Sequence, residues 1–228
     1  VQADDLISMT ESTDPVRGER VVTAIAMEQS ADNGENGGDG ETTAEAKPLP
    51  SLAIGTRNGV VKRWNREAPT TMDSWPVIDV KDGDEVVFAA VAEDDDRLVF
   101  VSSDSSLLTF DAKNVRPQGR TAGGMAGIKL AEGAHVMAFN VVPAGKVAWT
   151  YEEGENGLTS GAGAVVLTVA GDEDALPGTE NGAAKVTPLE MYPTKGRATG
   201  GVRSQRFLKG QNTLILAWVG PYPLHAST

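Results

Sequence analysis

Two stretches of this chain are near copies of one another. The segment from Val115 to Gly133 aligns without a gap with the segment from Tyr192 to Gly210, at an offset of 77 positions. The alignment places Arg120 on Arg197, and in both copies a Gly-Gly pair follows three residues later. A chain built from repeats buries the apolar face of each unit against the next, so the repeat decides the architecture.

A second repeat lies in a different part of the unit. Leu52 to Trp64 aligns with Leu98 to Phe110 at an offset of 46 positions, and each stretch has two apolar runs around a polar turn. Asn58-Gly59 in the first stretch is a strong hairpin signal, because both central residues of a type I′ turn need positive φ. Both stretches are therefore predicted to form β-hairpins.

A third repeated signal is a glycine that opens an apolar strand. It occurs at Gly18, Gly83, Gly133 and Gly210, each followed after two or three residues by an apolar run. The resulting period of about 45 to 50 residues is typical of propeller blades. The sequence therefore predicts an all-β fold.

The repeats divide a single repeat domain, 1–228, into units. We expect the end of a preceding blade at 1–27, an acidic disordered insertion at 28–50, blades at 51–92, 96–143 and 162–221, and a tail at 222–228. Val1 falls inside a unit, so we expect the chain to be a fragment of a longer protein.

Composition limits the chemistry that is available. The chain has no cysteine and only two histidines, so neither a disulfide framework nor a zinc or triad cluster is expected. No apolar run approaches the roughly 18 residues of a membrane helix. These features fit a cytoplasmic domain with no membrane partner, no metal and no cofactor.

The formal net charge of −12 argues against a nucleic-acid surface, but the charges are unevenly placed. Acidic residues concentrate in 28–45 and in the turns 82–96 and 152–155, whereas basic residues lie in the repeated loops. If the units stack around an axis, these basic loops line up as a band on the rim. The candidate DNA-binding residues are Arg57, Lys62, Arg63, Arg66, Lys113, Arg116, Arg120, Lys129, Lys195, Arg197, Arg203, Arg206 and Lys209.

Three linked motifs carry a family resemblance. The order L-A-I-G-T-R-N-G-V-V-K-R-W, D-G-D-E-V-V and V-R-P-Q-G-R-T-A-G-G-M-A-G-I-K-L resembles the C-terminal domain of the A subunit of bacterial type IIA topoisomerases. The resemblance implies a β-pinwheel: a propeller-like disc of four-stranded blades that exchange strands with their neighbours. It also implies an outer rim that binds and bends duplex DNA.

The closing segment from Lys195 to Trp218 looks most like the topoisomerase IV branch (ParC), with the gyrase branch (GyrA) second. Gyrase A subunits carry a Q-R-R-G-G-K-G-like box, and the loop from Lys195 to Gly201 departs from it. The resemblance therefore implies selection of DNA crossings or supercoils for decatenation and relaxation rather than wrapping. It implies as partners the A-subunit N-terminal region and the topoisomerase B subunit, with ATP and magnesium used by the holoenzyme. The parent's strand-cleaving tyrosine has no matching context in this chain. The resemblance therefore implies a nucleoid-associated domain with no catalytic residue of its own.

Several residues have a second interpretation. The glycines of each G-R-x-x-G-G loop either contact phosphate or merely allow a strand to cross between blades. Lys62 and Arg63 either contact DNA or lie on a solvated strand face, and Lys129 and Arg206 are expected to point outward. For the whole domain, a protein-interaction propeller is the alternative that the net charge of −12 supports, and a propeller enzyme lacks a candidate catalytic cluster.

Overall fold

The computed structural model describes residues 22–23, 50–66, 69, 71–72, 74–153, 159–176 and 182–223. Gly18, nearly all of the proposed preceding blade and the acidic insertion lie outside the described residues. The strands are β1 (Ser51–Thr56), β2 (Val60–Trp64), β3 (Val86–Ala92), β4 (Arg97–Ser102), β5 (Ser106–Asp111), β6 (Pro117–Gln118), β7 (Met125–Ala126), β8 (Val136–Val142), β9 (Thr150–Glu153), β10 (Thr159–Ala162), β11 (Ala164–Gly171), β12 (Ala183–Pro188), β13 (Val202–Arg203) and β14 (Thr213–Pro221).

Three antiparallel sheets share one plan. A hairpin supplies the central strand and its outer neighbour, and a later strand pairs with the other side of the central strand, giving the orders β3-β1-β2, β8-β4-β5 and β14-β11-β12. The tight hairpin turns of the first two sheets place Gly59 and Ser105 at φ 83° and 70°. The two hairpins predicted from the offset of 46 are confirmed. The type I′ turn expected at Asn58-Gly59 is not formed, because Gly59 has positive φ and Asn58 does not.

The predicted glycine hinges recur as well. Gly83, Gly133 and Gly210 have φ of 77°, 77° and 85°, and each precedes the inner strand of its sheet. Within each sheet the inner and central strands also shift register at one equivalent place, between Gly55 and Thr56, Val101 and Ser102, and Val169 and Ala170. A bulge kept at one position bends every blade in the same way.

Neighbouring units exchange strands. The segment after the second hairpin leaves its own sheet and adds β6 and β7 to β2 of the first blade, pairing Arg63 with Pro117 and Val61 with Met125. The segment after the third hairpin does the same to β5 of the second blade, pairing Val202 with Leu107. These two segments are the repeat with the offset of 77, and we call them the second crossing loop (115–130) and the third crossing loop (192–207).

The core lies between the blades rather than within them. One apolar cluster joins the first and second blades, and another joins the second and third. In the first cluster the rings of Phe100 and Phe139 lie 4.7 Å apart, and Phe139 fills the space where a side chain on Gly55 would lie. Because burial of apolar surface drives folding, each blade is stable only when stacked on its neighbour.

The segment between the second and third blades adds little to this plan. Its described residues form one helical turn, Ala144–Val147, and the small β9-β10 hairpin. Two 3-10 turns, Ala112–Asn114 and Leu189–Met191, follow β5 and β12. Among the described residues, no helix has the length and apolar character that a membrane crossing requires.

Candidate nucleic-acid interface

Packing requires the second glycine of the Gly-Gly pair in each crossing loop. Gly124 and Gly201, the second glycine of each pair, have φ of 83° and 71°. A Cβ would lie 2.8 Å from the carbonyl oxygen of Val61 at Gly124, and 2.2 Å from that of Leu107 at Gly201. The strand-crossing interpretation thus accounts for these two glycines, because only glycine permits such an approach to the acceptor strand.

The first glycine of each loop is different. A Cβ on Gly119 or Gly196 would meet nothing within 4 Å, and both glycines are exposed and directly precede the loop arginine. Packing gives no reason for glycine at these two positions.

Consecutive crossing loops contact each other. The amide of Lys129 donates to the carbonyl oxygen of Thr199 at 3.0 Å, and the amide of Ala198 donates to that of Gly127 at 2.7 Å. The guanidinium of Arg197 donates to the carbonyl oxygen of Ala126 at 2.5 Å. The second and third crossing loops therefore form one continuous strip, which we call the rim.

Most of the predicted basic residues lie exposed or half-buried on this strip, and Lys209 lies exposed two residues beyond its end. No ion pair joins any of them to an acidic residue within the part of the chain that the structure describes. We call them the rim set: Arg116, Arg120, Lys129, Lys195, Arg197, Arg203, Arg206 and Lys209.

Lys62 does not belong to that surface. Its side chain is 0% exposed, and Nζ donates to the carbonyl oxygens of Arg120 and Ala122 at 2.8 and 2.7 Å. Burial lowers the pKa of the amine, against the opposing effect of nearby Asp79. The amine therefore holds the second crossing loop in place, and the solvated-face interpretation of Lys62 is wrong.

Arg63 is also internal. Its guanidinium donates to Ser51 Oγ at 2.6 Å and to the carbonyl oxygen of Ala112 at 3.0 Å, and forms an ion pair with Asp94 at 2.7 Å. Arg66 is buried too, with a φ of 64°. Arg63 is placed inside the protein because the second crossing loop covers the strand on which it lies.

Two other candidates are exposed but paired with acids. Arg57 lies 3.7 Å from Glu85, and Lys113 lies 3.2 Å from Asp95 and 3.7 Å from Asp111. The hydrogen bond and charge of Asp95, helped by Asp111, raise the pKa of Lys113. Because these carboxylates partly neutralise them, Arg57 and Lys113 should attract phosphate less strongly than the residues of the rim set.

Sequence reasoning missed two residues of the strip. Asp79 precedes Gly83 by four positions, as Lys129 precedes Gly133, and its amide donates to the carbonyl oxygen of Ala122 at 3.3 Å. Lys185 donates from Nζ to the carbonyl oxygen of Ser204 at 2.7 Å. The hinge alignment could have revealed Asp79, whereas the long loop between β11 and β12 conceals the equivalence of Lys185 with Lys62.

The repeated sheets, their exchanged strands and their basic rim define a β-pinwheel domain. A family model described as "DNA gyrase C-terminal domain, beta-propeller" matches residues 76–93, 96–143 and 178–215. This match supports the assignment of the chain to the C-terminal domains of the A subunits of bacterial type IIA topoisomerases.

Individual relatives agree with this family. The chain is 27% identical over 218 residues to the DNA gyrase A protein of Escherichia coli (strain K12), covering 92% of this chain and 21% of that protein. It is 36% identical over 150 residues to the DNA gyrase A protein of Aeromonas salmonicida, covering 64% and 13%. The chain thus spans about a fifth or less of the length of these relatives.

Solved structures show the same fold. The C-terminal domain of DNA topoisomerase IV matches with a TM-score of 0.57 at 22% identity, over 75% of this chain and 46% of that one. The Escherichia coli ParC C-terminal domain matches with a TM-score of 0.53 at 15% identity, over 76% and 63%.

Proposed function

We propose that the rim set binds and bends duplex DNA through its phosphate backbone. The observation that carries this proposal is the direct contact between crossing loops, which makes their cations one strip. Duplex DNA carries one negative charge per about 1.7 Å of axis, so a row of lysines and arginines gains affinity by releasing counterions, whatever the base sequence.

The loop backbone contributes a second kind of contact. Gly119 and Gly196 are exposed beside Arg120 and Arg197, with open space where a side chain would lie. A phosphate can approach the amide groups of such a loop while the neighbouring guanidinium neutralises its charge. Contact with phosphate would explain why glycine occurs at positions 119 and 196, where packing does not require it.

The acidic body limits the affinity. The chain carries 32 acidic and 20 basic residues, so approach to DNA is opposed at long range. We expect non-specific binding with Kd of about 10⁻⁴ to 10⁻⁶ M at physiological salt.

A salt titration with random-sequence duplex DNA tests the proposal. The double variant Arg120→Ala/Arg197→Ala should flatten the slope of log K against log salt by up to about two units, similarly for all sequences. The variant Arg57→Ala/Lys113→Ala removes the same charge from acid-paired positions and should leave the slope nearly unchanged. Circular dichroism and thermal unfolding establish that both variants fold, which matters because Arg197 also bonds to Ala126.

Two results would count against a DNA-binding rim. Equal losses in the two double variants would mean that only net charge matters. Absence of binding by the folded wild-type domain at low salt would favour a protein-interaction propeller, the interpretation that the overall acidity supports.

For the parent protein we propose the A subunit of a topoisomerase IV (ParC) rather than that of a gyrase (GyrA). The supporting feature is the loop from Lys195 to Gly201, which lacks the gyrase-like box. The domain would then present DNA crossings or supercoils to a cleavage site in the A-subunit N-terminal region, assembled with the B subunit. By the resemblance, the ATP and magnesium of the holoenzyme would be used by its other parts.

Reconstitution decides between the branches. In the presence of ATP, the full-length parent protein with its B subunit should decatenate linked circles and relax supercoils. Introduction of negative supercoils into relaxed plasmid would overturn the topoisomerase IV assignment in favour of gyrase.

A further inference from the structure

One position differs between the first interface, where the first and second blades meet, and the second interface, where the second and third blades meet. Arg63 on β2 and Thr109 on β5 are equivalent, since both pair in parallel with the start of a crossing loop, at Pro117 and Thr194. In the first interface the side chain of Arg63 fills this position and is 5% exposed. In the second interface the side chain of Thr109 is too short to reach the same acceptors.

A cavity of 320 Å³ lies at this position in the second interface, and Thr109 lines it. The rest of the lining includes the counterparts of the residues around Arg63, at the offsets of 46 and 77. Ser51, Ala112, Val115 and Pro117 correspond to Arg97, Leu189, Tyr192 and Thr194, which all line the cavity. The cavity is therefore the space in which an arginine side chain is held one unit earlier.

The backbone that receives the guanidinium is repeated in the second interface. Arg63 Nη1 donates to the carbonyl oxygens of Ala112 and Val115 at 3.0 and 3.3 Å. The amide of Val115 closes this 3-10 turn by donating to the carbonyl oxygen of Ala112 at 2.9 Å, and the amide of Tyr192 donates to that of Leu189 at 3.0 Å. The carbonyl oxygens of Leu189 and Tyr192 are accordingly placed to accept from a cation of the same shape.

A buried hydroxyl group in this cavity lacks a partner. Thr109 is 3% exposed, and among the described residues its Oγ1 makes no hydrogen bond, although buried polar groups normally have one. A hydroxyl oxygen can accept from a guanidinium, as Ser51 Oγ does from Arg63 Nε at 2.6 Å. A bound guanidinium would therefore supply the donor that Thr109 lacks.

The charges around the cavity also favour a cation. The described part of the lining carries two charged side chains, Arg97 and Glu190. Arg97 Nε lies 3.2 Å from Asp111 Oδ1, so its charge is balanced beside the cavity. The carboxylate of Glu190 can play the part that Asp94 plays in its ion pair with Arg63 at 2.7 Å.

We propose that this cavity is a binding site for a small alkylguanidinium cation, whose planar head takes the place that the Arg63 side chain fills in the first interface. A guanidinium presents its N–H donors in a fixed plane and can reach two carbonyl oxygens, a hydroxyl and a carboxylate together, which a compact ammonium cannot do. Because Tyr192 and Thr194 begin the third crossing loop, the bound cation fastens that loop to β5. The inference does not depend on DNA binding by the rim.

Methylguanidinium chloride, added to this chain, is the direct probe. It should bind saturably with Kd below about 10 mM and shift the NMR signals of Leu189, Tyr192 and Thr194. Methylammonium has the same charge without the planar fork and should bind at least about tenfold more weakly. The amide of Lys195 donates to the carbonyl oxygen of Thr109 at 3.0 Å. At about ten times Kd, methylguanidinium should slow hydrogen exchange at this amide by up to about tenfold.

Protein variants supply matched controls. Glu190→Gln keeps the size of the side chain and an acceptor for the amide of Trp149, but it removes the charge and should weaken binding at least about tenfold. Glu132→Gln makes the same charge change at a residue outside the cavity and should leave Kd nearly unchanged. Thr109→Arg supplies an arginine from β5, as Arg63 does from β2, and should abolish binding.

Three results would overturn the proposal. Equal affinities for methylguanidinium and methylammonium, or equal effects of the two glutamine variants, would reveal general attraction of cations to an acidic protein. Binding of inorganic phosphate at the same NMR signals, in place of methylguanidinium, would mean that Arg97 makes the cavity an anion site. Absence of saturable binding by the folded chain would exclude the site, whether or not Thr109→Arg folds.

Discussion

The side-chain amine of Lys62 donates a hydrogen bond to the backbone carbonyl oxygen of Arg120, at 2.8 Å. This contact joins a buried strand of the first blade to a candidate DNA-binding residue of the second unit. A cation that the sequence presents as a surface charge thus positions the backbone of the proposed rim.

Replacement of Lys62 by methionine tests this positioning role. The variant keeps the length and apolar stem but leaves the carbonyl oxygens of Arg120 and Ala122 without their donor, so unfolding free energy should fall by about 1 to 3 kcal/mol. Urea denaturation measures the loss. Lys185 occupies the equivalent position, but it is exposed and its amine makes one such hydrogen bond. Lys185→Met should therefore reduce the unfolding free energy by less than Lys62→Met does. A larger loss for Lys185→Met would show that burial of the amine is not what makes Lys62 important.

The two kinds of glycine in each crossing loop should differ in their importance for stability. Gly124→Ala and Gly201→Ala should each destabilise the domain by more than about 1 kcal/mol, because the backbone is left-handed and the new Cβ meets the acceptor strand. Gly119→Ala and Gly196→Ala should be almost neutral for stability, since their surroundings are open. Thermal unfolding of the four variants compares them, and equal losses would mean that the loops are not held by close approach.

Much of the strand order within each blade could be predicted from the sequence, because it depends on residues that are close together in the chain. Hairpin turns and hinge glycines need particular backbone angles, and the chain supplies Gly59 and Gly83 where those angles occur. The burial of Lys62 and Arg63 could not be predicted, because it depends on a loop about 60 residues away that covers their strand. Alternation along V-V-K-R-W shows which side chains share a face, but not that a neighbouring unit closes the edge.

Arg63 should be more important for folding than any member of the rim set. Truncation by Arg63→Ala leaves the acceptors Ser51, Ala112 and Asp94 without their shared donor, and we expect a loss of about 2 to 4 kcal/mol. Arg203→Ala removes an exposed arginine and should change stability by less than about 0.5 kcal/mol. Chemical denaturation of both variants makes the comparison. Similar small effects would show that the buried arginine network contributes little.

His135 predicts a contribution to the pH dependence of stability. Partial burial and the charge of Arg57 lower the pKa of its imidazole, although Glu173 and Glu85 oppose this effect. The unfolded state therefore binds a proton first as pH falls, so the contribution is complete above about pH 6.5 and is lost below it. Between pH 7 and pH 5, the melting temperature of His135→Gln should fall less than that of the wild type. Parallel curves for the two proteins would exclude a role for this histidine.

Asp79 interrupts the basic strip at the position that Lys129 occupies in the next unit. Both residues lie four positions before a hinge glycine, and the amide of each donates to a neighbouring crossing loop, at Ala122 and Thr199. Because Asp79 is exposed, Asp79→Lys should extend the rim set and add about one phosphate contact, which steepens the slope of log K against log salt by about 0.9. The variant should lose some stability, because it replaces the negative charge that favours the buried amine of Lys62 by a positive one. Asp174→Lys makes the same charge change in the hairpin loop after β11, outside the crossing loops, and should raise affinity without a comparable change in slope. Equal slopes for the two variants would mean that DNA does not follow the strip, and the rim would have to be redrawn.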